Sequence, residues 1–107
     1  MTTALRSPFA AGFGPGAAVD LADTLKALAE PSRLRILAIL RAEGPLTGVE
    51  IETRLGTLKQ PSIAHHLRIL GEAGLVTATK HGAYVVRELA TDRLLTVAAL
   101  LTPGGER

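Results

Sequence analysis

The chain predicts a mostly α-helical domain that carries one small β-hairpin. Apolar residues recur at helical spacing from Val19 to Leu70 and again from Leu94 to Leu101. Between Leu75 and Leu89 the composition turns β-favouring, and His81-Gly82 sits between two short runs where a hairpin turn would lie.

Residues 1–17 are rich in Gly, Ala and Pro without periodicity and are expected to form a flexible arm. The ordered domain is expected over 18–102, with 103–107 a frayed end. From Val19 to Ala29, Leu21, Leu25 and Leu28 keep helical spacing, and Asp20 and Asp23 favour the positive start of the helix dipole. Pro31 is expected to end this helix and Ser32 to open the next, a core helix with Leu34, Leu37, Ile39 and Leu40 inward and Arg33, Arg35 and Arg41 along a solvated edge. Gly44-Pro45 closes it. Thr47 and Glu50 then have the spacing of a capping box, opening a short helix through Val49, Ile51 and Leu55 that stops at Gly56.

The stretch Lys59–Val76, KQPSIAHHLRILGEAGLV, reads as the next helix, a glycine stop and the start of a strand. Ile63, Leu67 and Leu70 form one narrow apolar stripe. Pro61, His65, Arg68 and Glu72 lie opposite, with Ser62, Ala64 and Ile69 on the flanks. Pro61 suits a first turn, where its missing N–H needs no partner, and Gly74 suits the left-handed stop. Two short helices across a glycine-containing turn, followed by a hairpin, make a winged helix-turn-helix of order α-α-α-α-β-β-α. A last helix, with Thr91 as its expected cap, carries Leu94, Leu95, Val97, Leu100 and Leu101, more large aliphatics than a small core needs. A second copy is the expected partner.

Bulk properties agree. The 107 residues suit one domain, and the 47% apolar content with mean hydropathy +0.27 exceeds what so small a core absorbs. No run approaches the roughly 18 apolar residues of a membrane span, and the start lacks the continuous apolar segment of a secretory signal. A cytoplasmic location without membrane partners is expected. The net charge of +2 is concentrated: Lys59, Arg68, Lys80 and Arg87 face only Glu72 between residues 59 and 87. Such an excess on the helix and hairpin suits phosphate. The chain contains no cysteine, which excludes disulfides, thiol redox chemistry and thiolate metal sites. Neither a Ser/His/Asp arrangement nor a phosphate-cradling glycine loop is present, so no enzyme is expected.

LKALAEPSRLRIL (Leu25 to Leu37) and QPSIAHHLRILGEAGLV (Gln60 to Val76), in this order and followed by KHGAYVVREL, resemble the ArsR/SmtB winged-helix transcriptional repressors. The resemblance runs from about Val19 to Leu101. It implies a homodimer joined through its first and last helices, with Leu21, Leu25, Leu94, Val97 and Leu101 at the interface. It also implies two recognition helices in successive major grooves of double-stranded DNA at an imperfect palindrome, released when an effector binds. Carried over by position, Lys59, Gln60, Ser62, His65 and Arg68 face bases or phosphates, and Lys80 and Arg87 the backbone near the wing.

The chain departs from the family in its sensing positions. Metal- and arsenic-sensing members carry Cys-x-Cys on the helix matching Thr47 to Leu55, where this chain has Val49, Glu50 and Ile51. Others hold zinc with histidines on the last helix, which here begins Asp92-Arg93-Leu94 and contains none. Any divalent metal, nickel or zinc foremost, would fall to His65, His66, His81 or carboxylates. The residues favour His65 at DNA, His66 packed and hydrogen-bonded, and His81 solvated. The turn before the recognition helix is one residue longer than usual, and Lys59 cannot accept a capping bond, leaving Thr57 or water to do so. Ala83 stands in the wing where an Arg is common. Two further readings stay open on sequence alone: an interaction module needing a protein co-regulator to act on DNA, and a His/carboxylate nickel- or zinc-responsive regulator.

Overall fold

The computed structural model describes residues 14–103; the outer parts of the expected arm and frayed end, 1–13 and 104–107, lie outside the described residues. Helices α1 (Pro15–Leu28), α2 (Pro31–Glu43), α3 (Gly48–Leu55), α4 (Gln60–Glu72) and α5 (Thr91–Leu101) surround strands β1 (Leu46–Thr47), β2 (Val76–His81) and β3 (Tyr84–Leu89). The expected winged helix-turn-helix order is present, with one strand more than expected.

Helix boundaries follow local chemistry. α1 starts four residues before Val19, because Gly14 is extended at the cap position and Pro15 has its φ preset for a first turn. Pro31 likewise opens α2 rather than ending α1. The cap is Glu30, not Ser32: its carboxylate accepts from the Arg33 N–H at 2.9 Å. The α3 capping box forms as expected, with Glu50 N–H to Thr47 Oγ1 at 3.2 Å and Thr47 N–H to Glu50 Oε1 at 2.8 Å. α5 has no side-chain cap, and Thr91 is its first helical residue. At the end of α4, Gly74 takes φ +76° while Leu75 N–H reaches Leu70 C=O at 2.9 Å and Gly74 N–H reaches Gly71 C=O at 3.0 Å. That Schellman pair turns the chain into β2.

The sheet order is β1-β3-β2, antiparallel throughout. β2 and β3 pair from Val76↔Leu89 to His81↔Tyr84, so the hairpin loop is Gly82-Ala83 and His81 is the last strand residue. β1 was not legible in sequence: its two residues are strand only because Leu46 and Thr47 pair with Arg87 and Val86.

The core lies where α2, α3 and α4 meet the sheet. Ile36, Leu37, Leu40, Leu46, Ile51, Leu55, Ile63, Leu67, Leu70, Leu75 and Val76 are buried in one cluster. Leu34 departs from expectation and is exposed, because it sits about 200° around the helix from Ile36. Ile63 is fully buried. Ile63→Ala is expected to cost about 2–5 kcal/mol, a large part of a small domain's stability. The check is the urea midpoint at fixed protein concentration; an unchanged midpoint would show that α4 is not anchored through this face.

Candidate nucleic-acid interface

Burying Ile63, Leu67 and Leu70 leaves Pro61, Ser62, Ala64, His65 and Arg68 exposed on the other side of α4. Within this face Arg68 reaches His65 Nδ1 at 3.2 Å and Glu72 Oε2 at 3.7 Å. A guanidinium only donates, so His65 Nδ1 is the acceptor in this contact. The face therefore offers a hydroxyl, an imidazole and a guanidinium, beside exposed Lys59 at the helix start.

Gln60 is not part of that face. Its Nε2 donates to Gly48 C=O at 2.9 Å and to Glu52 Oε1 at 2.7 Å, both on α3. Lys59 has no side-chain capping bond to offer α4. The Thr57 hydroxyl, one of the two alternatives for capping α4 beside water, accepts from Arg35 at 3.4 Å.

Two arginines expected at a solvated edge tie elements together. Arg35 also donates to Leu55 C=O at 3.2 Å, holding α2 to the end of α3. Arg33 donates to Ala27 C=O at 2.6 Å and to His66 Nδ1 at 3.2 Å, joining the end of α1 to the middle of α4. His66, its side chain 12% exposed, lies 4.0 Å from Glu30 Oε1. This is the packed, hydrogen-bonded histidine the sequence favoured. Arg41 is exposed, as expected.

In the wing, alternation places Lys80 and Arg87 on one face, the face whose inner end packs Val76 and Leu89 toward the core. Lys80 is exposed. Arg87 is half-buried between Ala78 and Leu46, and its Nε is buried without a hydrogen-bond partner among the described residues. The histidines are not gathered: His65 turns to Arg68, His66 to Arg33, and His81 lies exposed at the wing tip. Among the described residues no group of three or more His, Cys, Asp or Glu could hold a metal ion. With no thiol on α3 and no histidine on α5, the residues present do not fit a metal centre of the kind the family resemblance implies.

Of the expected interface leucines and valine, Leu21 and Val97 are buried within the chain and Leu94 is partly buried against its core, whereas Leu25 is 38% and Leu101 71% exposed. Val19, Leu95 and Leu100 are exposed as well. Leu95 and Leu100 lie in the last helix, where only the packing of α5, and nothing in their spacing, marks them as outward. Arg93 joins the two helices through Thr24 Oγ1 at 3.3 Å.

A family model described as a helix-turn-helix domain matches residues 28–78. An ArsR-like transcriptional regulator from Rhodococcus sp. RHA1 superposes with a TM-score of 0.71 at 30% identity, covering 80% of this chain and 79% of that one. The chain belongs to the ArsR family of helix-turn-helix transcriptional regulators. Among curated family relatives, an HTH-type transcriptional regulator of Methanocaldococcus jannaschii is 36% identical over 80 residues, 75% of this chain and 89% of that protein. The HTH-type transcriptional regulator NmtR of Mycobacterium tuberculosis is 42% identical over 73 residues, 68% of this chain, which spans 59% of that relative's length. No helix among the described residues is long and apolar enough to cross a membrane.

The caps carry a pH dependence. The Arg33 N–H, and then His66, hold the Glu30 carboxyl below its ordinary 4.5, and the Thr47 N–H and hydroxyl do the same for Glu50. A depressed folded-state value means stability present above 4.5 and lost as pH falls through the lower folded value. Urea midpoints measured stepwise from neutral to acid should fall less steeply in Glu30→Gln and Glu50→Gln than in the wild type.

Proposed function

We propose that the protein is a repressor that binds a palindromic DNA operator as a homodimer, in the cytoplasm, with the outward face of α4 as its reading edge. The observation that carries this reading is the split of α4 into a buried aliphatic stripe and an exposed Ser62, His65, Arg68 face. Arg68 has the fork geometry for guanine O6/N7, and the Ser62 hydroxyl and the His65 ring suit base edges or phosphate. Lys59 at the helix start and Lys80 on the wing add point charges for backbone phosphates. The exposed Val19 and Leu25 of α1 and Leu95, Leu100 and Leu101 of α5 supply the apolar surface for a second copy, which would set the spacing of the two reading helices. Repression then follows from occupying the operator. An effector acting through cysteine is excluded by composition, and the described residues hold no cluster for a metal-responsive version.

Footprinting the purified protein alone on DNA upstream of its gene tests the reading. Arg68→Ala should cost about 1–3 kcal/mol and relax preference at one position of each half-site, whereas Lys80→Ala should weaken all sequences alike and reduce the salt slope by about one. Equal affinity for scrambled DNA, or a footprint seen only when a co-regulator is added, would sink it. Sedimentation should give a dimer that Leu95→Glu and Leu101→Glu dissociate.

A further inference from the structure

We propose that Gln60 is a positioning residue for DNA binding, one that sets the angle of α4 against α3 instead of reading a base, and that Gly48 is glycine to leave room for it. The inference rests on the DNA-binding reading above. Reading adenine would require Gln60 to present Nε2 and Oε1 together to the base edge. A carboxamide nitrogen has two hydrogens, and here both face acceptors on α3, Gly48 C=O at 2.9 Å and Glu52 Oε1 at 2.7 Å. The two acceptors lie one helical turn apart, so the side chain spans the first half of α3.

The start of α4 needs such a tether. Lys59 makes no capping bond, Pro61 has no N–H, and the preceding turn residue Thr57 is held by Arg35. Gln60 is thus the side chain at this end of α4 that fixes it to the neighbouring helix. Gly48 is shaped to the contact: a Cβ there would lie 3.1 Å from Gln60 Oε1 and 3.9 Å from its Cδ. Glycine weakens a helix relative to alanine, and φ at Gly48 is not among the positive ones. Its backbone therefore does not require glycine, whereas an added Cβ would press on the Gln60 carboxamide, which must give by a few tenths of an ångström.

The consequence separates stability from binding. Gly48→Ala should leave the urea midpoint equal or raised, through helix propensity, while displacing Gln60 and weakening DNA binding about tenfold, one hydrogen bond to a charged group. Gln60→Ala should lower affinity by a similar factor without changing which base is preferred at any position. The double variant Gly48→Ala/Gln60→Ala should lose no more than Gln60→Ala alone.

The probe is a duplex enriched by the wild-type protein from a random pool, with every single base-pair change of it titrated against each variant. Uniform losses with non-additivity support the assignment. Gln60→Ala relaxing preference at one base pair while Gly48→Ala binds as wild type would overturn it and leave the DNA-binding reading intact. Failure of the wild type to enrich any sequence would overturn that reading and the assignment together. Should Gly48→Ala not fold, Glu52→Ala removes the other acceptor and must show the same coupling to Gln60→Ala.

Discussion

The burial of Ile63, Leu67 and Leu70 is the constraint on which the rest of this molecule depends. A helix with a single narrow apolar stripe has one rotation about its axis that removes the stripe from water, and each large aliphatic so buried contributes about 1.5–3 kcal/mol. That rotation determines what faces outward. Ser62, His65 and Arg68 are exposed because the aliphatics on the same helix are not. The core and the proposed DNA-facing surface are thus two sides of one packing decision, and a change that rotated α4 would disturb both.

Rotation is not orientation, and the angle of α4 falls to polar contacts. The long side chains that reach across helix boundaries include Arg33 from α2 to Ala27 and His66, Arg35 from α2 to Leu55 and Thr57, and Gln60 from α4 to Gly48 and Glu52. Arg33 and Arg35 satisfy carbonyls in the last turns of α1 and α3, where intrahelical partners run out, and Gln60 reaches the Gly48 carbonyl at the start of α3. They act at the end of α1, at both ends of α3 and along α4, joining the helices that support the proposed reading edge. The tethers also explain how α4 is held without a cap at Lys59.

The proposed dimer face is divided in the same way. α1 and α5 each turn some aliphatics inward, Leu21 and Val97 among them, and leave others outward, such as Leu25 and Leu101. Inward residues attach the two helices to the domain that carries α4. Arg93 touches Thr24 and lies over Gly74 at the stop of α4, so it links α1 and α5 to the end of that helix.

Much of this was determined by the sequence itself. The period of Ile63, Leu67 and Leu70, the stops at Gly56 and Gly74, the Thr47–Glu50 box and the absence of cysteine are local facts, settled by residues within about one helical turn or by composition. Tertiary structure decided the rest. β1 as a strand and Arg33, Arg35 and Gln60 as tethers depend on partners between 6 and 41 positions away in the chain, the shortest being Arg33 on Ala27 and the longest a strand pairing. Long polar side chains carry little local preference for a direction. They turn to whichever unsatisfied carbonyl or ring nitrogen the packed helices bring near, and only the fold says which that is.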